Sequence, residues 1–241
     1  MSQFPPTAWT AVFGMGDDDP KRAEAARERI INDYHDPIFA FIRIQVRSEH
    51  DAEDLTQEFI KDLLEKPKSM ANADPEKGRF RDYLRGAIRN FLRRQWAKEK
   101  RRQDGPNGGG KSLDSLAEGS GPIEVPADCE ASDEAFHRTW KQNVVRMALE
   151  VLCDELTRTG RRGQWDVFSR LMLTDGDRPT YQAVADELSV TISLVTNRLH
   201  SAKQRYRRAV REVVAATLRD PGEVDDELRA LIGAFQGVSH G

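Results

Sequence analysis

Apolar residues along this chain recur at three- and four-residue intervals, as in helices with one buried face, and no segment alternates as a strand does. Between Ala23 and Val46, charged residues alternate with Ile30, Ile31, Tyr34, Ile38, Phe39, Phe41 and Ile42. Pro37 suits the first turn of a helix, where its missing N–H is no loss, so two helices are expected to meet near His35–Asp36. Asp51 to Glu65 carries Ala52, Leu55, Phe59 and Leu63 on one face and Asp51, Asp54, Glu58 and Asp62 on another. A break follows, KPKSMANADPEKG, and then the clearest helix. Its residues Phe80, Tyr83, Leu84, Ala87, Ile88, Phe91 and Leu92 trace a buried stripe.

From Gln103 to Ser132 the periodicity disappears and Gly, Pro and Ser accumulate, as in a flexible linker. Beyond it, Phe136, Val144, Met147, Leu149, Val151 and Leu152 mark one helix, and Trp165, Val167, Phe168, Leu171 and Met172 another. Thr180 to about Val214 fits a helix–turn–helix with a long basic continuation. Asp220–Pro221 ends it, and Glu223 to Phe235 has the pattern of a short acidic amphipathic helix. No internal repeat is evident. The expected fold is all-α, with two small helical domains joined by a flexible Gly-rich linker. Its parts are an N-terminal extension over 1–19, a first domain over 20–102, the linker over 103–131, a second domain over 132–218 and an acidic tail over 219–241.

Composition narrows the function. Of 241 residues, 38% are hydrophobic and 32% charged, a foldable and charge-rich balance typical of helical proteins. No run approaches the roughly 18 apolar residues of a membrane span. The opening MSQFPPTAWTAVFGMGDDDP lacks the basic start and apolar core of an export signal, so a cytoplasmic protein is expected. Cys129 and Cys153 have no paired spacing and indicate neither a disulfide framework nor a zinc site. Cys153, beside Val151 and Leu152, reads as a small core residue. The net charge of −3 conceals segregation: Ser48 to Glu65 is acidic, Gly78 to Arg102 and Arg198 to Arg211 are basic, and Asp220 to Glu227 is acidic again. Two cationic faces make nucleic acid the first partner to consider.

In the second block, Val184, Leu188, Val190 and Val195 supply the apolar positions on which two short helices pack, with small Ala185 at their closest approach. Thr191 or Ser193 can cap the second helix. That helix would present Ser193, Leu194, Thr196, Asn197 and Arg198 to a major groove. Lys203, Arg205, Arg207, Arg208 and Arg211 could then neutralise phosphates. Ser189 stands in the turn where Gly is commonest, and a left-handed conformation there costs Ser some energy, so a slightly different turn is expected. An ordinary helical hairpin with a solvated basic face is the plainer reading of the same residues.

The first block carries a sharper pattern. Arg81, Arg85, Arg89 and Arg93 recur every fourth residue beside the apolar stripe, joined by Arg94, Lys98, Lys100, Arg101 and Arg102, with Tyr83, Phe91 and Trp96 interleaved. Cations suit phosphates and flat rings suit unstacked bases, so such a helix fits a bent or opened duplex. Phe80, Ile88 and Phe91 read as core, and the pattern leaves Trp96 undecided. The segments DAEDLTQEFIKDLLEKP, from Asp51, and GRFRDYLRGAIRNFLRRQ, from Gly78, resemble region 2 of the extracytoplasmic-function (ECF) group of the sigma-70 family of RNA polymerase sigma factors. The helix–turn–helix resembles region 4 of that group. The acidic end, DPGEVDDELRALIGAF, is similar to a tail found in one of its branches.

The resemblance implies a sigma factor and not an enzyme, with core RNA polymerase and promoter DNA as partners and no cofactor or metal. Asp51, Asp54, Gln57 and Glu58 match the surface that docks on the clamp helices of the polymerase largest subunit. Asn90, Arg93, Arg94, Trp96, Lys98 and Arg101 fall where the family contacts and melts the −10 element. Ser193, Leu194, Thr196, Asn197, Arg198, Lys203 and Arg207 fall where it reads the −35 element. The tail either folds back on the basic face or offers an anti-sigma factor or other regulator a docking helix, and a solvated cap is the plainer alternative.

Two other patterns compete for attention. Gly105 to Ser112 satisfies G-x-x-x-x-G-K-[ST], but KEKRRQD before it cannot be the buried strand a phosphate loop requires, so it reads as linker. Asp51, Asp54 and Glu58 share a helical face and in principle could hold Mg²⁺ for a nuclease, yet no second element supplies further ligands. A DNA-binding regulator working without polymerase would explain the helix–turn–helix but not the paired acidic and basic helices of the first block.

Overall fold

The computed structural model describes residues 19–46, 48–65, 79–103, 129–174, 176–218 and 221–236, and every regular element among them is helical. They form two compact units, one ending at Trp140 and one beginning at Lys141.

The first unit begins with α1 (Pro20–Gln45), capped by Asp19, whose carboxylate accepts from the Lys21 amide at 3.0 Å. Two helices were expected here, but α1 is continuous, with Pro37 inside it and buried. The physical reason lies in the packing. An interior proline costs about 3 kcal/mol. Ile30, Tyr34, Ile38, Phe41 and Ile42 form one buried face through it, and each large apolar side chain returns roughly 1.5–3 kcal/mol on burial. The face wins.

Helix α2 (Glu49–Glu65) buries Ala52, Thr56, Phe59 and Leu63, and α3 (Phe80–Gln103) buries Phe80, Leu84, Ile88, Phe91 and Leu92. Edge-to-face aromatic pairs join them: Tyr34 meets Phe80 at 5.2 Å and Phe59 meets Phe91 at 5.4 Å. Burial, aided by Asp33, pushes the Tyr34 phenol well above its ordinary value, although Arg81, Arg29 and Trp140 pull the other way. The long helix α4 (Cys129–Arg158) contributes its first turns to this unit, where Ala135, Phe136 and Trp140 are buried.

The second unit comprises the rest of α4, α5 (Arg162–Met172), α6 (Tyr181–Glu187), α7 (Ile192–Ala215), a 3₁₀ turn (Pro221–Glu223) and α8 (Val224–Gln236). Its core gathers Leu152, Leu156, Val167, Phe168, Leu171, Val184, Ala185, Val195, Leu199 and Ala202, with Leu188 and Val190 packed against it. Paired backbone bonds and one left-handed residue stop α4 and α6 alike. At α4, Arg161 N–H reaches Leu156 C=O and Gly160 N–H reaches Thr157 C=O, with Gly160 at φ 68°. At α6, Val190 N–H reaches Ala185 C=O and Ser189 N–H reaches Asp186 C=O, with Ser189 at φ 53°. Cys153 departs from expectation. It is half-buried and lines an open apolar groove of about 570 Å³ with Val145, Leu149 and Trp165.

Candidate nucleic-acid and docking surfaces

Asp51, Asp54, Gln57 and Glu58 all stand exposed on the outer face of α2, because Ala52, Phe59 and Leu63 take the opposite face inward. Asp54 has His50 Nε2 at 3.6 Å. Glu58 accepts a hydrogen bond from Gln95 Nε2 at 2.7 Å, and Arg94 pairs with Asp62 at 3.0 Å. The acidic face of α2 therefore runs directly into a seam with α3. A cleft of about 360 Å³ lies along this seam, lined by Glu58, Asp62, Phe91, Arg94, Gln95 and Lys98. The spacing along each helix did not disclose the seam, since Asp62 meets Arg94, and Glu58 meets Gln95, only in three dimensions.

On α3, Asn90, Arg93, Arg94, Lys98 and Arg101 are exposed and Trp96 is half-buried. At about 100° per residue, Asn90, Arg94, Lys98 and Arg101 fall within an arc of roughly 80°, flanked by Arg93 and then Trp96. The four-arginine row does not behave as one surface. Arg81 is buried, with its guanidinium 4.4 Å from the Trp140 ring centre. Arg85 pairs with Asp82 at 2.6 Å and with Asp133 at 3.4 Å, and Arg89 also pairs with Asp133. Only Arg93 of that row is exposed. Helical periodicity correctly placed the four on one flank. It carried no information that the start of α4 would cover three of them.

In the second unit, Thr180 caps α6 by accepting from Ala183 N–H at 3.1 Å, and Thr191 caps α7 by accepting from Leu194 N–H at 3.2 Å. Of the two capping candidates, Thr191 takes the role. The α7 cap leaves Ser193, Leu194, Thr196 and Asn197 exposed on the first turns of α7. Ser193, Thr196, Asn197, Lys203 and Arg207 share an arc of roughly 120°, while Leu194 and Arg198 turn toward its flank. The Thr196 hydroxyl donates back to Ile192 C=O at 3.0 Å. Arg198 is half-buried and leans over the start of α5, so close that a Cβ on Gly163 would lie 2.9 Å from its guanidinium carbon.

The basic continuation of α7 divides by role. Arg205 and Arg208 both hold Glu155 of α4, the latter at 2.8 Å, and so tie α7 to α4. Burial pushes the Glu155 carboxyl up, but the Arg208 hydrogen bond and charge, joined by Arg205, outweigh it and hold it below 4.5. Arg211 pairs with Asp225 of α8 at 2.5 Å. Val224 and Leu231 of α8 are buried, so the described part of the tail lies on its own unit. Arg207 is exposed, and neither it nor Lys203 makes an ion pair among the described residues. The Gly105–Ser112 pattern and most of the linker lie outside the described residues. Among those described, no three His, Cys, Asp or Glu side chains come together as metal ligands, and no helix is long and apolar enough to cross a membrane.

Among the described residues, fold and surfaces together define an all-helical architecture whose first unit sets an exposed acidic helix face against an exposed cationic one edged by the half-buried Trp96. Residues 30–102 match the family model of sigma-70 region 2. No curated protein and no solved structure matches. The matched stretch holds α2 and all of α3 but its last residue, and with them every candidate docking and −10 residue named above.

Proposed function

We propose that this protein is a sigma factor of the ECF group that binds core RNA polymerase, recognises −10 and −35 promoter elements and promotes strand opening in the cytoplasm. The observation that carries the reading is the pairing of α2 and α3 within the sigma-70 region 2 match. Asp51, Asp54, Gln57 and Glu58 form the face offered to the clamp helices of the polymerase largest subunit, where complementary charge sets docking rate and register. Asn90, Arg93, Arg94, Lys98 and Arg101 hold the backbone of the −10 element, and Trp96 at their edge offers a ring to an unstacked base. Ser193, Thr196 and Asn197 face the −35 element from a helix–turn–helix, with Leu194 and Arg198 at the margin and Lys203 and Arg207 on phosphates. Opening draws on binding energy alone, so no catalytic residue and no cofactor enter the scheme.

Separated binding measurements test it. Asp54→Arg should weaken binding to core polymerase at least tenfold and leave binding of the free protein to promoter fragments unchanged. Arg94→Glu should leave polymerase binding intact and reduce binding of the holoenzyme to −10 single strands at least tenfold. Wild-type protein that binds duplex DNA tightly and core polymerase not at all would overturn the reading.

A further inference from the structure

The first two turns of α7 present apolar and amide side chains. Of the seven large apolar side chains left exposed among the described residues, five lie between Met172 and Leu194, and two of these, Ile192 and Leu194, stand in the first turn of α7. The same helix turns Val195 and Leu199 into the core. Thr196 extends the apolar set. Its hydroxyl donates to Ile192 C=O, which spends its one proton on the backbone and leaves the side chain no donor for a base. Ile192 and Thr196, four residues apart, sit one above the other on the helix. Asn197 is exposed near them and carries both a donor and an acceptor.

The same turns offer nothing suited to guanine. Guanine O6 and N7 take a parallel pair of donors, which Arg or Lys supplies. From Ile192 to Leu199 the one Lys or Arg is Arg198. It leaves α7 about 100° round from Asn197 and about 140° from Ser193. Its guanidinium rests over Gly163 at the start of α5, where a Cβ would lie 2.9 Å from it. His200, exposed one turn beyond Thr196, has ring nitrogens that point apart and offer no parallel pair. Lys203 comes roughly two turns beyond Asn197.

We propose that α7 reads A·T pairs, with Ile192 and Leu194 against thymine C5-methyl groups and Asn197 against an adenine between them. This rests on the helix–turn–helix reading above and names the bases it selects, and it adds Ile192 to the reading face as a specificity residue. In the major groove thymine alone shows a methyl, which takes contact from apolar side chains, and adenine N6 and N7 pair with the two ends of an Asn amide. Going round α7, the order is Ile192, Thr196, Ser193, Asn197 and Leu194, over an arc of roughly 200°. The two apolar side chains therefore flank the amide and meet different base pairs. All five stand at the N-terminal end of the helix, the part of a recognition helix that meets base edges. Ser193 suits any base, so the choice falls to the others.

Selection tests it. The full chain, alone and with core polymerase, recovers duplexes from a random-sequence library, and the recovery is repeated with Ile192→Ala and with Asn197→Ala. Both residues are exposed, so both variants should keep the wild-type urea midpoint. Positions whose base preference relaxes in either variant are those α7 reads, apart from anything the first unit selects. They should be thymine for Ile192→Ala and adenine for Asn197→Ala. Deoxyuracil in place of that thymine removes the methyl alone. It should weaken wild-type binding about fourfold, the transfer value of one such group, and leave Ile192→Ala binding unchanged. Relaxed positions that are G·C, deoxyuracil without effect on the wild type, or no relaxation in either variant would overturn the proposal. Lys203→Glu with Arg207→Glu separates that failure from a deeper one. If this pair still weakens binding, the helix–turn–helix reading stands and only the base assignment falls. If it changes nothing, or the wild-type chain recovers no duplex, α7 does not lie on DNA and the −35 reading falls as well.

Discussion

Single residues set how firmly the second unit holds its shape. Ser189 occupies the left-handed position that ends α6, with φ 53°. A side chain there is strained where glycine is not, so Ser189→Gly should raise stability by about 0.5–1 kcal/mol, read as the shift in a urea midpoint. Glu155 joins α4 to Arg205 and Arg208 of α7. Its carboxyl titrates lower when folded than when unfolded, so its contribution is present above about pH 4.5 and is lost as pH falls through the folded value. Glu155→Gln should therefore cost about 1 kcal/mol at pH 7, allowing for the exposure of Arg208, and flatten the acid limb of the stability profile below pH 4.5.

At the scale of elements, the start of α4 has its own pH response. Burial, aided by Arg85 and Arg81, holds the His137 imidazole below its ordinary 6.5, while Asp82 and Asp133 oppose the shift. Free or undocked His137 takes up a proton more readily than docked His137. Acidification from pH 6.5 downward should thus weaken docking of Cys129–Trp140, measured as faster amide exchange over that segment relative to the core of α1. His137→Gln should remove the difference.

Which elements exist was legible from the spacing of apolar residues, and so was which face each buries: Leu84, Ile88 and Leu92 on α3, Val184 and Val195 around the turn. The α7 cap was legible as one of two residues, Thr191 or Ser193, because caps act through local backbone chemistry. The altered turn expected from Ser189 did not follow, since Ser189 takes the left-handed conformation and makes the same paired bonds as Gly160 does at α4. Pro37 misled, since its local preference lost to a buried face contributed by residues on both sides of it. Arg81, Arg85, Arg89 and Cys153 misled for another reason. Periodicity says which residues share a side of a helix, but not what comes to lie against that side. The Asp62–Arg94 and Glu58–Gln95 contacts are invisible for the same cause.

At the scale of the whole molecule, opposite charge engages part of each cationic helix among the described residues. On α3 the start of α4 engages Arg85 and Arg89, and on α7 the acidic helix α8 engages Arg211 through Asp225. By helical spacing Arg211 lies on the same side of α7 as Ser193 and Asn197, roughly five turns along. Freeing it should add about one phosphate contact, so Asp225→Asn should tighten promoter binding at low salt and steepen the dependence of log K on log salt by about 0.9. An unchanged slope would mean that α8 only caps its unit. Run-off transcription with core polymerase and a library of upstream fragments tests whether α2 docks on polymerase while α3 and α7 read a promoter. Specific initiation by the wild-type chain, lost in Asp54→Arg and in Arg94→Glu, is the expected result. No initiation from any fragment, alongside tight duplex binding without polymerase, would contradict it.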